Sequence, residues 1–192
     1  MHLTRWRHPG LVFIAATLVA ASMLRAEASD DSRFEIRNAY VEVVGDAWQL
    51  NVRLDLGLSE SARQALDEGV PLTLSLEAEA TAARRFLPDE SVVSLTRRWQ
   101  LAYDAIADRY VVTDPLSGEH SSHVSREEAL ETLARINALP LADATRLPRD
   151  GRFEMSVRAS VEIGDLPAAV KVLLFWKSWS SSTDWYIWSV RP

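Results

Sequence analysis

Two histidines stand close together in the second half of this 192-residue chain, as His120-Ser121-Ser122-His123. A His-x-x-His pair can ligate a metal, and Asp114 and Glu119 are near enough in sequence to complete a ligand set. Structural zinc sites, however, take four ligands, usually with cysteine among them, and this chain has no cysteine. The stretch is therefore expected to be a polar loop ahead of a helix cap, with no metal and no cofactor. Serine is abundant, but no Gly-x-Ser-x-Gly elbow places one as a nucleophile. Only seven glycines are present, and none forms a phosphate-cradling loop. No residue is expected to be catalytic, and the protein is not expected to be an enzyme.

Two arginine doublets, Arg84-Arg85 and Arg97-Arg98, can receive an acidic partner or a phosphate. In a chain with excess carboxylates such arginines more often pair on a solvated strand face. The most unusual composition is the group Trp176, Trp179, Trp185 and Trp188, with Lys177 and the run Ser180 to Thr183 between them. Clustered tryptophans can form a stacking platform for glycan, a membrane-interface belt or the centre of a protein contact. Packing of Trp185 and Trp188 into the core, with Trp176 and Trp179 covering its open end, is the simpler expectation. The candidate binding residues are these four tryptophans together with Arg97 and Arg98.

The N-terminus supplies an address. Arg5 and Arg7 precede an apolar run from Leu11 to Leu24, and Ala26-Glu27-Ala28 is a small-x-small site, which together describe a secretory signal peptide over residues 1–28. The apolar run is shorter than the ~20 residues of a spanning helix, so a cleaved signal and periplasmic location are expected. Inner-membrane anchoring by an uncleaved signal is the alternative. Residues 29–192 then form a single β-rich domain without a transmembrane span. Cleavage takes 21 basic and 27 acidic residues to 18 and 26, moving the formal charge from −6 to −8. That sign argues against nucleic acid as a partner. A domain of this size buries about 70% of its unfolded surface, so packing can replace cross-links.

The elements that position these residues are mostly strands. Phe34, Ile36 and Tyr40 alternate before a phase shift to Val41 and Val43, which predicts a bulge. Gly45-Asp46 reads as a two-residue hairpin turn. Trp48, Leu50, Val52, Leu54, Leu56 and Leu58 then give a strict period of two. Next comes a short helix, with Ser61 and Gln64 as capping box, Ala62, Ala65 and Leu66 as apolar stripe and Gly69 as stop. Asp67 and Glu68 sit unfavourably at its C-terminal end, where they form an acidic corner that a partner can read. Leu72, Leu74, Leu76 and Ala78 share one face of the following strand, and Thr81 to Ser91 reads as a loop or a frayed strand end.

Val93, Leu95, Trp99, Leu101 and Tyr103 continue the alternation. Arg97 interrupts their face and needs a carboxylate partner or a place near the strand end. Asp104 to Asp108 reads as a turn, Arg109 to Thr113 as its partner strand, and Asp114 to Gly118 as a turn cluster. Ser125 and Glu128 start a second helix, with a Val124–Ala129 staple and an apolar side running from Ala129 to Ile136, ended by Pro140. Leu141 to Asp150 reads as a loop. Phe153, Met155, Val157, Ala159, Val161 and Ile163 form another alternating strand, Pro167 opens a third short helix or a strand, and Trp185 to Val190 reads as an interior strand.

The order of these motifs resembles a proteobacterial family catalogued as domain of unknown function 4390. The resemblance runs through Phe34-Glu35-Ile36, Trp48 and Leu50, Ala65-Leu66, Gly69-Val70-Pro71-Leu72 and Arg84-Arg85. It continues through Leu101-Ala102-Tyr103, Tyr110-Val111-Val112, Ala129-Leu130, Leu166-Pro167 and Trp185. The resemblance implies a small exported protein without assigned enzyme activity, often encoded beside an envelope sensor histidine kinase. The expected fold is mainly β: an antiparallel two-sheet sandwich of about seven strands with two or three short connecting helices. A single curved sheet with helices on one face is the α+β alternative. The expected function is a non-enzymatic periplasmic binding or accessory module, partnered by an envelope or membrane protein such as a sensor histidine kinase. An envelope structural protein that binds glycan or membrane through the tryptophans is the rival, ahead of a metal-dependent hydrolase.

Overall fold

A computed structural model describes residues 33–82, 90–141, 153–163 and 180–191. The leader, Arg84-Arg85, the 142–150 stretch, the segment opened by Pro167, Trp176 and Trp179 lie outside the described residues. Two antiparallel sheets hold the described strands. The smaller joins β1 (Phe34–Val44), β2 (Ala47–Leu56) and β7 (Arg135–Pro140) in the order β1-β2-β7. The larger has the order β10-β8-β3-β4-β5-β6, from β3 (Leu72–Ala82), β4 (Glu90–Asp104), β5 (Arg109–Thr113), β6 (His120–His123), β8 (Phe153–Ile163) and β10 (Tyr186–Val190). A short β9 (Ser180–Ser182) also pairs with β8. The expected seven strands are all present, and β6, β7 and β9 are additional.

The alternating faces account for the core. Leu50, Val52 and Leu54 of β2, Leu72, Leu74, Leu76 and Ala78 of β3, and Met155, Val157, Ala159 and Val161 of β8 are all buried and belong to one apolar cluster. The Trp48 and Phe153 rings meet edge-on at 5.4 Å and 81°, joining β2 of one sheet to β8 of the other. This is the preferred geometry for aromatic quadrupoles. The β1–β2 hairpin turns at Gly45-Asp46, with Gly45 at φ +64°. The β1 bulge is present, but the register shifts between Ile36 and Asn38 rather than after Tyr40. Ala39 and Val41 consequently face inward, while Tyr40 and Val43 are exposed. At the bulge Arg37 pairs with Asp55 on β2.

Helix α1 (Glu60–Asp67) follows β2 and buries its expected stripe, Ala62, Ala65 and Leu66. Its cap is Ser59 rather than Ser61: the Ser59 hydroxyl accepts from the Ala62 amide at 3.2 Å. At the other end the Val70 amide reaches the Ala65 carbonyl and the Gly69 amide the Leu66 carbonyl, each at 2.9 Å. These two bonds define a Schellman stop, and Gly69 supplies the left-handed φ of +85° that it requires. In the stretch expected as a loop or a frayed strand end, Thr81, Ala82, Glu90 and Ser91 continue the β3–β4 ladder.

Helix α2 (Arg126–Leu133) is capped as expected, with the Ser125 hydroxyl accepting from Glu128 N at 3.2 Å. Val124 stays 68% exposed, so the staple does not close over it. The helix stops at Leu133, and Ile136 and Pro140 belong to β7 rather than to its last turns. Pairing with β2 wins over the helical stripe: Leu54 N donates to Ala134 O at 2.9 Å, and Ile136 lies opposite Val52. The last strand, β10, pairs only with β8 among the described residues. Among these it is an edge strand, not the interior one expected, and its sequence is apolar on both faces although Ile187 is 56% exposed.

Candidate functional site

Arg97 occupies an inward position of β4, opposite Leu76 and between half-buried Leu95 and Trp99. The carboxylate it requires comes from Asp114, at the end of β5. Arg97 Nη2 donates to Asp114 Oδ2 at 2.5 Å, and both side chains are more than four-fifths buried. Asp114 is fixed by its own turn. Its Oδ1 accepts from the Leu116 and Ser117 amides at 2.8 and 3.3 Å, its carbonyl from Gly118 N at 2.8 Å, and its amide donates to Glu119 O at 2.9 Å. The turn that the sequence announces thus serves to hold one carboxylate against one guanidinium.

A cleft of about 750 Å³ opens beside this pair. Arg97, Trp99 and Val112 line it from the large sheet, Asp114 and Glu119 from the turn after β5, His120 and Ser121 from β6, Thr132 and Leu133 from α2, and Arg135, Ile136, Asn137 and Leu139 from β7. It lies where both sheets end, because β6 and β7 are terminal strands joined through α2. Val112, Leu133, Ile136 and Leu139 are buried and give apolar walls. The size falls within the 300–1,000 Å³ of ordinary ligand sites, which combine apolar lining with a few polar groups. One polar group here is underused: Arg97 Nε is buried and has no hydrogen-bond partner among the described residues.

The β7 wall is shaped by Asn51. Opposite this residue β7 carries Asn137 and Ala138 between the pairs Leu50–Leu139 and Val52–Ile136, so the strand bulges outward. The lifted Ala138 amide donates to Asn51 Oδ1 at 3.0 Å, and Asn51 Nδ2 donates to Glu42 Oε1 at 2.8 Å. Glu131 of α2 anchors the start of β7 by accepting from Arg135 and, at 2.9 Å, from Arg53 of β2.

The remaining sequence candidates are dispersed. Arg98 faces outward and exposed, beside Ser75. Trp188 lies on the inner face of β10 and is half-buried, while Trp185 precedes that strand and is 39% exposed. The Arg158 guanidinium stands 4.8 Å from the Trp185 ring centre and 2.8 Å from Glu77. His120 and His123 belong to a strand, not a loop. Three residues apart, they point to opposite faces. His123 Nε2 lies 2.9 Å from the Ser121 hydroxyl. Among the described residues no group of three metal-ligating side chains converges, and no helix is long and apolar enough to cross a membrane.

The sequence marked Arg97 by its parity but not the cleft. Trp99 read as core and Asn137 as part of a helix, and only the non-helical pair Asn137 and Pro140 hinted at the strand. No curated protein and no solved structure matches the chain. Residues 31–189 match a family described as a domain of unknown function (DUF4390).

Proposed function

We propose that this chain, which belongs to the DUF4390 family, is an exported, non-enzymatic binding module of the periplasm. It serves as an accessory to an envelope protein such as a sensor histidine kinase. The observation that carries the reading is the cleft, in which apolar walls surround a guanidinium with donors to spare. The leader pattern, the acidic balance and the resemblance described above support the location and the kind of partner. Photocrosslinkers at Asn137 and His120, on the rim of the cleft, test it in cells. They are expected to trap one membrane protein that a crosslinker at fully exposed Ile106, in the β4–β5 turn, does not. Recovery of the uncrosslinked chain alone from all three positions would overturn it.

A second reading rests on exposed Trp185 and Ile187 at the open edge of the large sheet, with Arg158 against Trp185. These groups fit an envelope structural protein that touches glycan or a membrane surface. Trp185 emission that responds to peptidoglycan or to anionic vesicles supports this reading, and indifference to both removes it.

A further inference from the structure

The ligand class follows from how Arg97 is held. A guanidinium has five N–H donors, and among the described residues only Nη2 of Arg97 has a partner, Asp114. Asp114 is largely occupied, since one oxygen takes two backbone amides and the other takes Arg97, three of its roughly four acceptor sites. The pair therefore leaves a guanidinium donor unpaired in the cleft wall and little spare acceptor capacity, which favours an incoming oxyanion over a cation. Asp114 already offsets Arg97, Glu131 offsets Arg135, and Glu119 adds a further negative charge, so a single charge on the ligand suits the site better than a dianionic phosphate. Trp99, Val112, Leu133, Ile136 and Leu139 give the lining an apolar side, where a charged body would be desolvated without compensation.

We propose that the cleft binds an amphiphilic monocarboxylate, its carboxylate on Arg97 and its apolar chain against Trp99, Val112, Leu133, Ile136 and Leu139. The proposal rests on the cleft being the binding face of the module. Trp99, in the wall, makes binding visible by fluorescence.

Titration of the purified protein with sodium decanoate, decanol and decylammonium, each below its micelle concentration, separates the contributions. Decanoate is expected to saturate one site about tenfold or more tighter than decanol, as a charge-assisted hydrogen bond implies, with decylammonium weakest. Arg97→Gln alone leaves Asp114 without its cation, so the informative variant is Arg97→Gln with Asp114→Asn, which retains the turn's acceptor oxygen. It should keep its melting transition and bind decanoate and decanol alike. Asn137→Trp, which fills the rim, should weaken both. Equal affinity for decanoate and decanol in the parent protein, no saturable decanoate binding, or a preference unchanged in the double variant would overturn the proposal. Crosslinks from Asn137 to a membrane protein with no decanoate binding would overturn the ligand class and leave the binding module standing.

Discussion

Asp67 Oδ2 lies 3.0 Å from Arg126 Nη1, joining the last residue of α1 to the first residue of α2. Each charge is misplaced on its own helix, since a carboxylate is disfavoured at a C-terminus and a cation at an N-terminus. Together they cancel the mismatch, and Asp67 also accepts from the Tyr110 hydroxyl at 2.9 Å. The acidic corner expected from the sequence is thus half occupied by a tie between two helices and β5. Because replacing either residue removes both a repulsion and an attraction, Asp67→Asn and Arg126→Gln should each shift stability by less than about 0.5 kcal/mol. The double-mutant cycle should return a coupling of about 0.5–1 kcal/mol that shrinks with salt. Denaturant midpoints of the four proteins measure it, and a zero coupling would remove the tie from the account.

The same contact sets an alkaline response. Burial, then the hydrogen bond to Asp67, push Tyr110 up to about 12 from the ordinary value near 10. The hydrogen bond to Asp108 raises neighbouring Tyr103 as well. For a raised tyrosine the folded state holds the proton more tightly than the unfolded chain. Its contribution is complete below pH 10 and is lost as pH rises from 10 to about 12. Denaturation midpoints should fall across that window, and absorbance near 295 nm should show late-titrating tyrosine. Tyr110→Phe should flatten most of the decline. An equally steep decline in that variant would place the alkaline sensitivity elsewhere.

Strand β7 offers a cleaner packing test. Ala138 sits at φ +52°, a left-handed conformation that costs an alanine about 1–2 kcal/mol and glycine little. The Asn51 side chain holds this bulge by receiving the Ala138 amide. Ala138→Gly should therefore stabilise by about 0.5 kcal/mol once the greater freedom of the unfolded glycine chain is deducted. Asn51→Leu leaves that amide and Glu42 without their partner and should cost about 1–3 kcal/mol. Equilibrium unfolding in urea distinguishes the two signs.

The part of this architecture that was legible is the part that local rules dictate. Phe153 to Ile163 and Trp48 to Leu56 announce themselves because a period of two has no helical reading over that length. The segment from Ala129 to Ile136 misled because Leu133 and Ile136 are three apart and continue a helical stripe. Only the long-range ladder to Val52 shows that the chain leaves the helix at Ala134. The sequence points to Ser61 as the cap, where the structure has Ser59, because both serines precede a helix former. The hydrogen bond from the Ala62 amide to the Ser59 hydroxyl marks the cap, and the Ser61 hydroxyl lies 3.0 Å from that of Ser59. The cleft was invisible for a different reason: its lining comes from β4, β5, a turn, β6, α2 and β7, and no sequence window contains it.

The Arg97–Asp114 pair is the last and most direct test of how the cleft is built. Both side chains are largely removed from water, so the loss of one partner strands the other in a medium that solvates charge poorly. Asp114→Ala also releases the Leu116 and Ser117 amides and loosens the turn. It should cost about 3–5 kcal/mol, and Arg97→Met, which leaves only the turn-bound carboxylate, should cost less. Combining Arg97→Met with Asp114→Asn removes both charges while keeping the acceptor for the turn, and should recover most of the loss. Urea midpoints for Arg97→Met, Asp114→Asn and the pair decide the matter: simple addition of those two single costs would mean that the two residues stand side by side without depending on each other.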